Sequence, residues 1–138
     1  MIRNNLAVSS LKSSLMYQSD ITVASFMLLN PDNDVYGNVA AGGDFYGFWY
    51  ALRDVPFGST AVGDICPQGT PLGSVYGNVA HSNRHYGMRI NELYARTYPC
   101  DPVRKDTLAD DPWAENPSVL AVFRDFLVYR NRNTGVLA

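Results

Sequence analysis

A chain of 138 residues is near the usual size of one domain and too short for two ordinary ones, yet it can bury roughly two thirds of its unfolded surface. Hydrophobic residues make up 46% and charged residues only 17%; with a net charge of −2 and no basic run, binding to nucleic acid by phosphate neutralisation is excluded. No stretch of 18 apolar residues is present to span a bilayer, and the start is interrupted by Ser9, Ser10, Ser13 and Ser14, unlike the apolar core of a secretory signal.

Residues 1–20 read as an N-terminal arm or a loose amphipathic helix. Leu6, Leu11 and Leu15 support the helix, with Asn4 or Asn5 as its cap, while the serines weaken it in isolation. Residues 21–29 form a nearly unbroken apolar run with β-branched residues early, which predicts a buried strand. It ends at Asn30, Pro31, Asp32, Asn33 and Asp34, a sequence with turn chemistry.

The strongest signal follows. Val-Tyr-Gly-Asn-Val-Ala at 35–40 recurs unchanged at 75–80, and at the same offset Pro31 matches Pro71 and Tyr46-Gly47 matches Tyr86-Gly87. Such identity is improbable by chance in so short a chain, so 31–53 and 71–93 are taken as two copies of one unit. Two copies are fewer than a solenoid needs, and the expectation is two β-hairpins packed about a pseudo-twofold axis. Gly42 and Gly43 supply the positive φ angles of the first loop; in the second, Asn83 is expected to take the left-handed position. Gly47 and Gly87, inside the returning strands, mark a bulge or a close backbone approach.

Strand alternation sorts the side chains of each unit onto two faces. Tyr46, Phe48 and Tyr50, matched by Tyr86, Met88 and Ile90, make the expected core face. Phe45 and Trp49, matched by His85 and Arg89, make the other. These four are the candidate interface, either covered by the N-terminal segment or exposed as a docking patch, and Trp49 opposite Arg89 suits a cation–π contact.

Residues 55–73 and 99–117 are rich in Gly or Pro and read as long loops, the second pinned by Trp113. Residues 117–130 are predicted helical: Asn116 caps, Pro117 suits the first turn, and Leu120, Phe123, Leu127 and Arg130 follow at helical spacing. A strand over 119–129 is the alternative. The polar tail from Asn131 to Gly135 is expected to be peripheral.

Chemistry is sparse. Cys66, His81, His85 and Cys100 supply zinc-type ligands, and the two histidines have permitted spacing. Against a site, neither cysteine belongs to a close Cys pair, and the first unit has Ala41 and Phe45 where the second has the histidines. Two thiols outside any catalytic signature are expected, with no metal and no cofactor. Asp32, Asp34, Asp106, Asp110 and Asp111 lack the calcium-loop pattern.

The expectation from sequence is therefore one mainly β domain over 1–138, with α+β as the alternative. It consists of two pseudo-repeated hairpins in a small sandwich or barrel-like body, an N-terminal arm or helix and a C-terminal helix. The expected role is a non-enzymatic structural protein acting through contacts with copies of itself and other assembly subunits. A virus or phage particle suits it best, as a capsid decoration or cement protein or a head-tail connector, located in the virion or host cytoplasm, with neither nucleic acid nor membrane as partner. A second reading is a small carbohydrate-binding or adhesion module that stacks sugar rings on Trp49 and on Tyr36, Tyr46, Tyr50, Tyr76, Tyr86 and Tyr94. A third is a Cys/His or zinc enzyme.

Overall fold

The forty-residue repeat is a translation, not a twofold. In the computed structural model, which describes residues 1–13, 22–54, 56, 64–100 and 116–138, Val35 lies beside Val75 and Tyr36 beside Tyr76, parallel and in register. The next segments do the same: Val39 pairs with Val79, and Tyr46 with Tyr86. One repeat therefore sits directly on the other.

Twelve strands among the described residues fall into four turns of three. The first turn holds β1 (Ile2–Arg3), β2 (Leu6–Val8) and β3 (Ala24–Leu28); the second holds β4 (Val35–Tyr36), β5 (Val39–Ala41) and β6 (Tyr46–Ala51). The third holds β7 (Val75–Tyr76), β8 (Val79–His81) and β9 (Tyr86–Asn91), and the fourth β10 (Phe123–Arg124), β11 (Leu127–Tyr129) and β12 (Thr134–Leu137). Stacking the turns makes three four-stranded sheets: sheet A (β1-β4-β7-β10), sheet B (β2-β5-β8-β11) and sheet C (β3-β6-β9-β12). Every strand pairing is parallel.

Two corners shape each turn. At the first, Asn4, Gly37, Gly77 and Asp125 all have positive φ, from 50 to 64°. At the second, Ser9, Gly42, Ser82 and Arg130 do so, from 51 to 69°. One left-handed residue bends the chain into the next sheet, whereas a two-residue hairpin would reverse it. That is why the predicted hairpins are absent: the same Gly signals a corner. Ser82, not Asn83, takes the left-handed position in the third turn.

The corners leave buried amides to satisfy, and a ladder of asparagines does this. Asn78 is fully buried; its Oδ1 accepts from the backbone N–H and from Nδ2 of Asn38, both at 3.1 Å, and its Nδ2 donates to the Val35 carbonyl at 2.8 Å. Asn38 is equally buried and passes the pattern on, accepting from the Asn5 backbone and side chain at 3.0 Å each. At the second corner, Asn83 Oδ1 accepts from the Gly43 N–H at 3.0 Å, and Asn131 Oδ1 accepts from the Asn83 N–H and Nδ2. Each rung supplies the partner that the rung beside it lacks.

Inside the prism lie Val35 and Val75 from sheet A, Ala40 and Ala80 from sheet B, and Leu28, Phe48, Tyr50 and Met88 from sheet C. Phe26 stacks on Phe48 with centroids 4.8 Å apart, and Phe126 meets Phe48 edge-on at 5.1 Å. Burial of each large side chain contributes about 1.5–3 kcal/mol. Burial also pushes the Tyr50 phenol well above its usual pKa, its ring edge-on to Phe123.

The fold is thus mainly β, as expected, but no helix occurs among the described residues. Residues 6–8 of the proposed N-terminal helix form β2; its part from residue 14 onward lies outside the described residues, as does Trp113. The proposed helix at 117–130 is replaced by β10 and β11, split by the left-handed Asp125. Leu120 is 84% exposed, so its apparent place on an apolar stripe was coincidental. Asn116 caps nothing; its amide clamps the backbone of Tyr98, accepting from N and donating to O at 3.0 Å each. The supposedly peripheral tail supplies β12 and the Asn131 rung.

Candidate functional site

The outer side of sheet C carries an aromatic cluster built from the repeat itself. In a regular strand Tyr46 and Phe48 would share a face. They do not, because Gly47 also faces inward: a Cβ placed on it would lie 3.0 Å from the Ala80 Cβ and 2.6 Å from the Gly87 carbonyl. With Gly47 and Phe48 both turned in, Tyr46 lies on the same side as Trp49.

Translation by one turn then stacks like on like. Tyr46 lies over Tyr86 with centroids 5.6 Å apart and planes 15° from parallel. Phe45 lies over His85 at 4.3 Å and 4°. Trp49 is in register with Arg89. The Arg89 Nη1 donates to the Tyr46 hydroxyl at 2.6 Å, and its guanidinium carbon sits 5.6 Å from the Tyr46 ring centroid. Trp49 Nε1 donates to Asn91 Oδ1 at 3.3 Å. Of this group Tyr46 is buried, whereas Phe45, Trp49, His85, Tyr86, Arg89 and Asn91 are half-buried.

The four residues singled out from sequence, Phe45, Trp49, His85 and Arg89, are therefore brought together on one side of the molecule. Two details change. Tyr46 and Tyr86 belong with them and not with the core, and the cation–π partner of Arg89 is Tyr46 and not Trp49. The clue was present in Gly47, whose extra inward residue shifts the alternation by one. A second stack runs along the outside of sheet A: Tyr36 lies on Tyr76 at 4.8 Å, Arg124 sits over Tyr76 at 5.7 Å, and Arg3 reaches the Tyr36 hydroxyl at 3.4 Å.

Cys66 and Cys100 form a disulfide between the loops that follow β6 and β9, Cα to Cα 5.2 Å. The expected free thiols are corrected, and with them the Cys/His nucleophile and the zinc quartet, since neither sulfur is a thiolate. His81 meanwhile stacks on Tyr129 outside sheet B, whereas His85 stacks on Phe45. Among the described residues no group of three metal-ligating side chains comes together.

Three parallel sheets wound from stacked turns, cornered by left-handed residues and braced by asparagine ladders, define a parallel β-helix with an aromatic outer face. The chain belongs to the CEMIP β-helix family, whose model matches residues 2–88, the first three turns. It is 39% identical over 93 residues to mouse fibrocystin-L, a match covering 67% of this chain and 2% of that protein. It is 31% identical over 125 residues to the human cell migration-inducing and hyaluronan-binding protein, and 28% identical over 127 residues to the human cell surface hyaluronidase CEMIP2, covering 82% and 83% of this chain and 9% of each relative. The chain thus spans between 2% and 9% of the length of these relatives.

These matches correct the expected function. Nothing in them points to a virus or phage particle; the relatives include human, mouse, zebrafish and amoebal proteins. The expectation of a non-enzyme falls with it, because two relatives are named cell surface hyaluronidases. A virion or cytoplasmic location is likewise overturned by those cell-surface names, and the Cys66–Cys100 bond agrees with an oxidising compartment.

Proposed function

We propose that the chain is a stretch of β-helix in a cell-surface protein that handles hyaluronan, and that the outer side of sheet C is where the polysaccharide lies. The observation that carries this reading is the in-register stack of Tyr46 on Tyr86 with Arg89 bonded across it. Stacking fixes the half-buried Phe45, Trp49, His85 and Tyr86 side by side at the strand spacing of roughly 4.8 Å, so that their outer edges form an apolar strip against which a sugar ring can pack. Arg89 adds a charged donor for sugar hydroxyl or acetamide oxygens, and Asn91 adds a second polar group beside Trp49. Each such contact is weak alone, so affinity would come from several sugars engaged at once.

The test is a tryptophan-fluorescence titration of the Trp113→Phe chain, which leaves Trp49 as its reporter, with hyaluronan oligosaccharides, neutral dextran serving as the control. Saturable change is expected with hyaluronan only, and Trp49→Ala, followed by calorimetry, should weaken binding about five- to tenfold. Equal response to dextran, or affinity untouched by Trp49→Ala, would remove the platform from the reading.

A further inference from the structure

Beside the platform, where sheet B bends into sheet C, lies a shallow hollow of about 190 Å³ lined by Lys12, Asp44, Phe45, Arg84, His85 and Arg132. We propose that this hollow is an anion subsite, which takes a carboxylate or sulfate carried on a polysaccharide whose neighbouring ring rests against Tyr86 on the outer side of sheet C. The proposal deepens the reading of sheet C and rests on it for the identity of the polymer, but the anion chemistry stands on its own residues.

Charge is the first argument. The stack of turns aligns Gly43, Asn83 and Asn131 through their amides, so the residues that follow, Asp44, Arg84 and Arg132, occupy equivalent places in successive turns. A column of one carboxylate and two guanidiniums results, and Lys12 adds a third cation. Asp44 is already engaged: it accepts from the Lys12 backbone N–H at 3.0 Å and pairs with Arg84 at 3.3 Å. One acid against three bases leaves the hollow positive in a chain whose net charge is −2. Arg84 is 71% exposed at its side chain, so its remaining donors face solvent.

Position is the second argument. The floor of the hollow is the Phe45–His85 stack, and this runs straight into the platform: Phe45 meets Tyr46 edge-on at 5.9 Å, and His85 meets Tyr86 at 6.0 Å. Backbone bonds fix the main chain from which two of the cations extend. The Arg132 N–H donates to the Asn83 carbonyl at 3.0 Å and the Arg84 N–H to the Gly43 carbonyl at 2.8 Å. A polymer lying across the platform has its next unit over the hollow. A neutral polymer would leave these cations unused; an acidic one satisfies both features.

The experiment compares the chain with Arg132→Gln, which leaves the Asp44–Arg84 pair intact, and with the double change Arg84→Gln/Arg132→Gln. Binding is measured for hyaluronan oligosaccharides, for the same oligosaccharides with methyl-esterified carboxyls, and for chondroitin sulfate. Arg132→Gln should weaken the acidic polymers several-fold and the double variant about tenfold. The esterified form should bind all three proteins alike, and the salt dependence of the acidic ones should shrink. Equal loss for acid and ester, or no loss at all, would overturn the anion subsite while leaving the platform standing. If no polymer binds the parent chain, the platform reading fails, and inorganic sulfate decides the subsite: a sulfate-dependent rise in unfolding temperature present in the parent and absent in the double variant supports it as a site for the free anion, and its absence refutes it.

Discussion

Replacing Asn78 by Leu tests whether the asparagine ladder holds the turns together. Leu has the same number and branching of heavy atoms but bulkier methyl ends, so no cavity opens and the polar contribution is removed with some crowding added. Three hydrogen bonds disappear: those from the Asn38 N–H and Asn38 Nδ2, and the one to the Val35 carbonyl. Asn38 Nδ2 keeps the carbonyls of Ile2 and Tyr36, so the principal losses fall on the Asn38 N–H and the Val35 carbonyl. A buried group deprived of its partner costs about 1–3 kcal/mol, which puts the change near 3 kcal/mol. Unfolding entropy of about 2.1 cal/mol/K per residue over 138 residues makes that a fall of about 10 °C in unfolding temperature. Thermal unfolding followed by circular dichroism measures it, with Asn5→Ala as the comparison. Asn5 is exposed, so water can replace its bonds and the change should cost less than about 1 kcal/mol. An Asn78→Leu protein unfolding within about 2 °C of the parent would refute the argument that the ladder is stabilising.

Two further outcomes follow from the same geometry. Gly77 has φ +61° with the nearest other atom 4.0 Å from where a Cβ would sit, so only its backbone angle restricts it. Asn4 and Asp125 hold the equivalent angle in the first and fourth turns; Gly77→Asn should therefore cost under about 0.5 kcal/mol and Gly77→Val about 2 kcal/mol or more, read from denaturant unfolding. The Cys66–Cys100 bond closes a loop across a separation of 34 residues, which in the chain-entropy account contributes about 3–4 kcal/mol. The Cys66→Ala/Cys100→Ala protein should unfold about 10 °C lower than the parent, and reductant should bring the parent to the same point; a shift under about 3 °C would speak against the bond.

The sequence by itself determined a good deal here. The repeated hexapeptide and its forty-residue offset were plain, and that offset is the length of one turn. So were the positive φ of Gly42, the close backbone approach at Gly47 and Gly87, and the grouping of Phe45, Trp49, His85 and Arg89. Which strand each segment pairs with was decided only by the tertiary structure. A glycine with positive φ serves a hairpin and a corner equally well, and strands of two or three residues are too short to display a period, which is how β10 and β11 passed for a helix. The same limit hid the rest. Asn38 and Asn78 read as polar positions of a strand, Asn83 as a turn residue and Asn131 as part of a polar tail, until stacking paired Asn38 with Asn78 and Asn83 with Asn131; Cys66 and Cys100 had no reason to meet until two successive turns brought their loops together. Local sequence sets where a chain bends; long-range hydrogen bonds and burial decide what lies beside it after the bend.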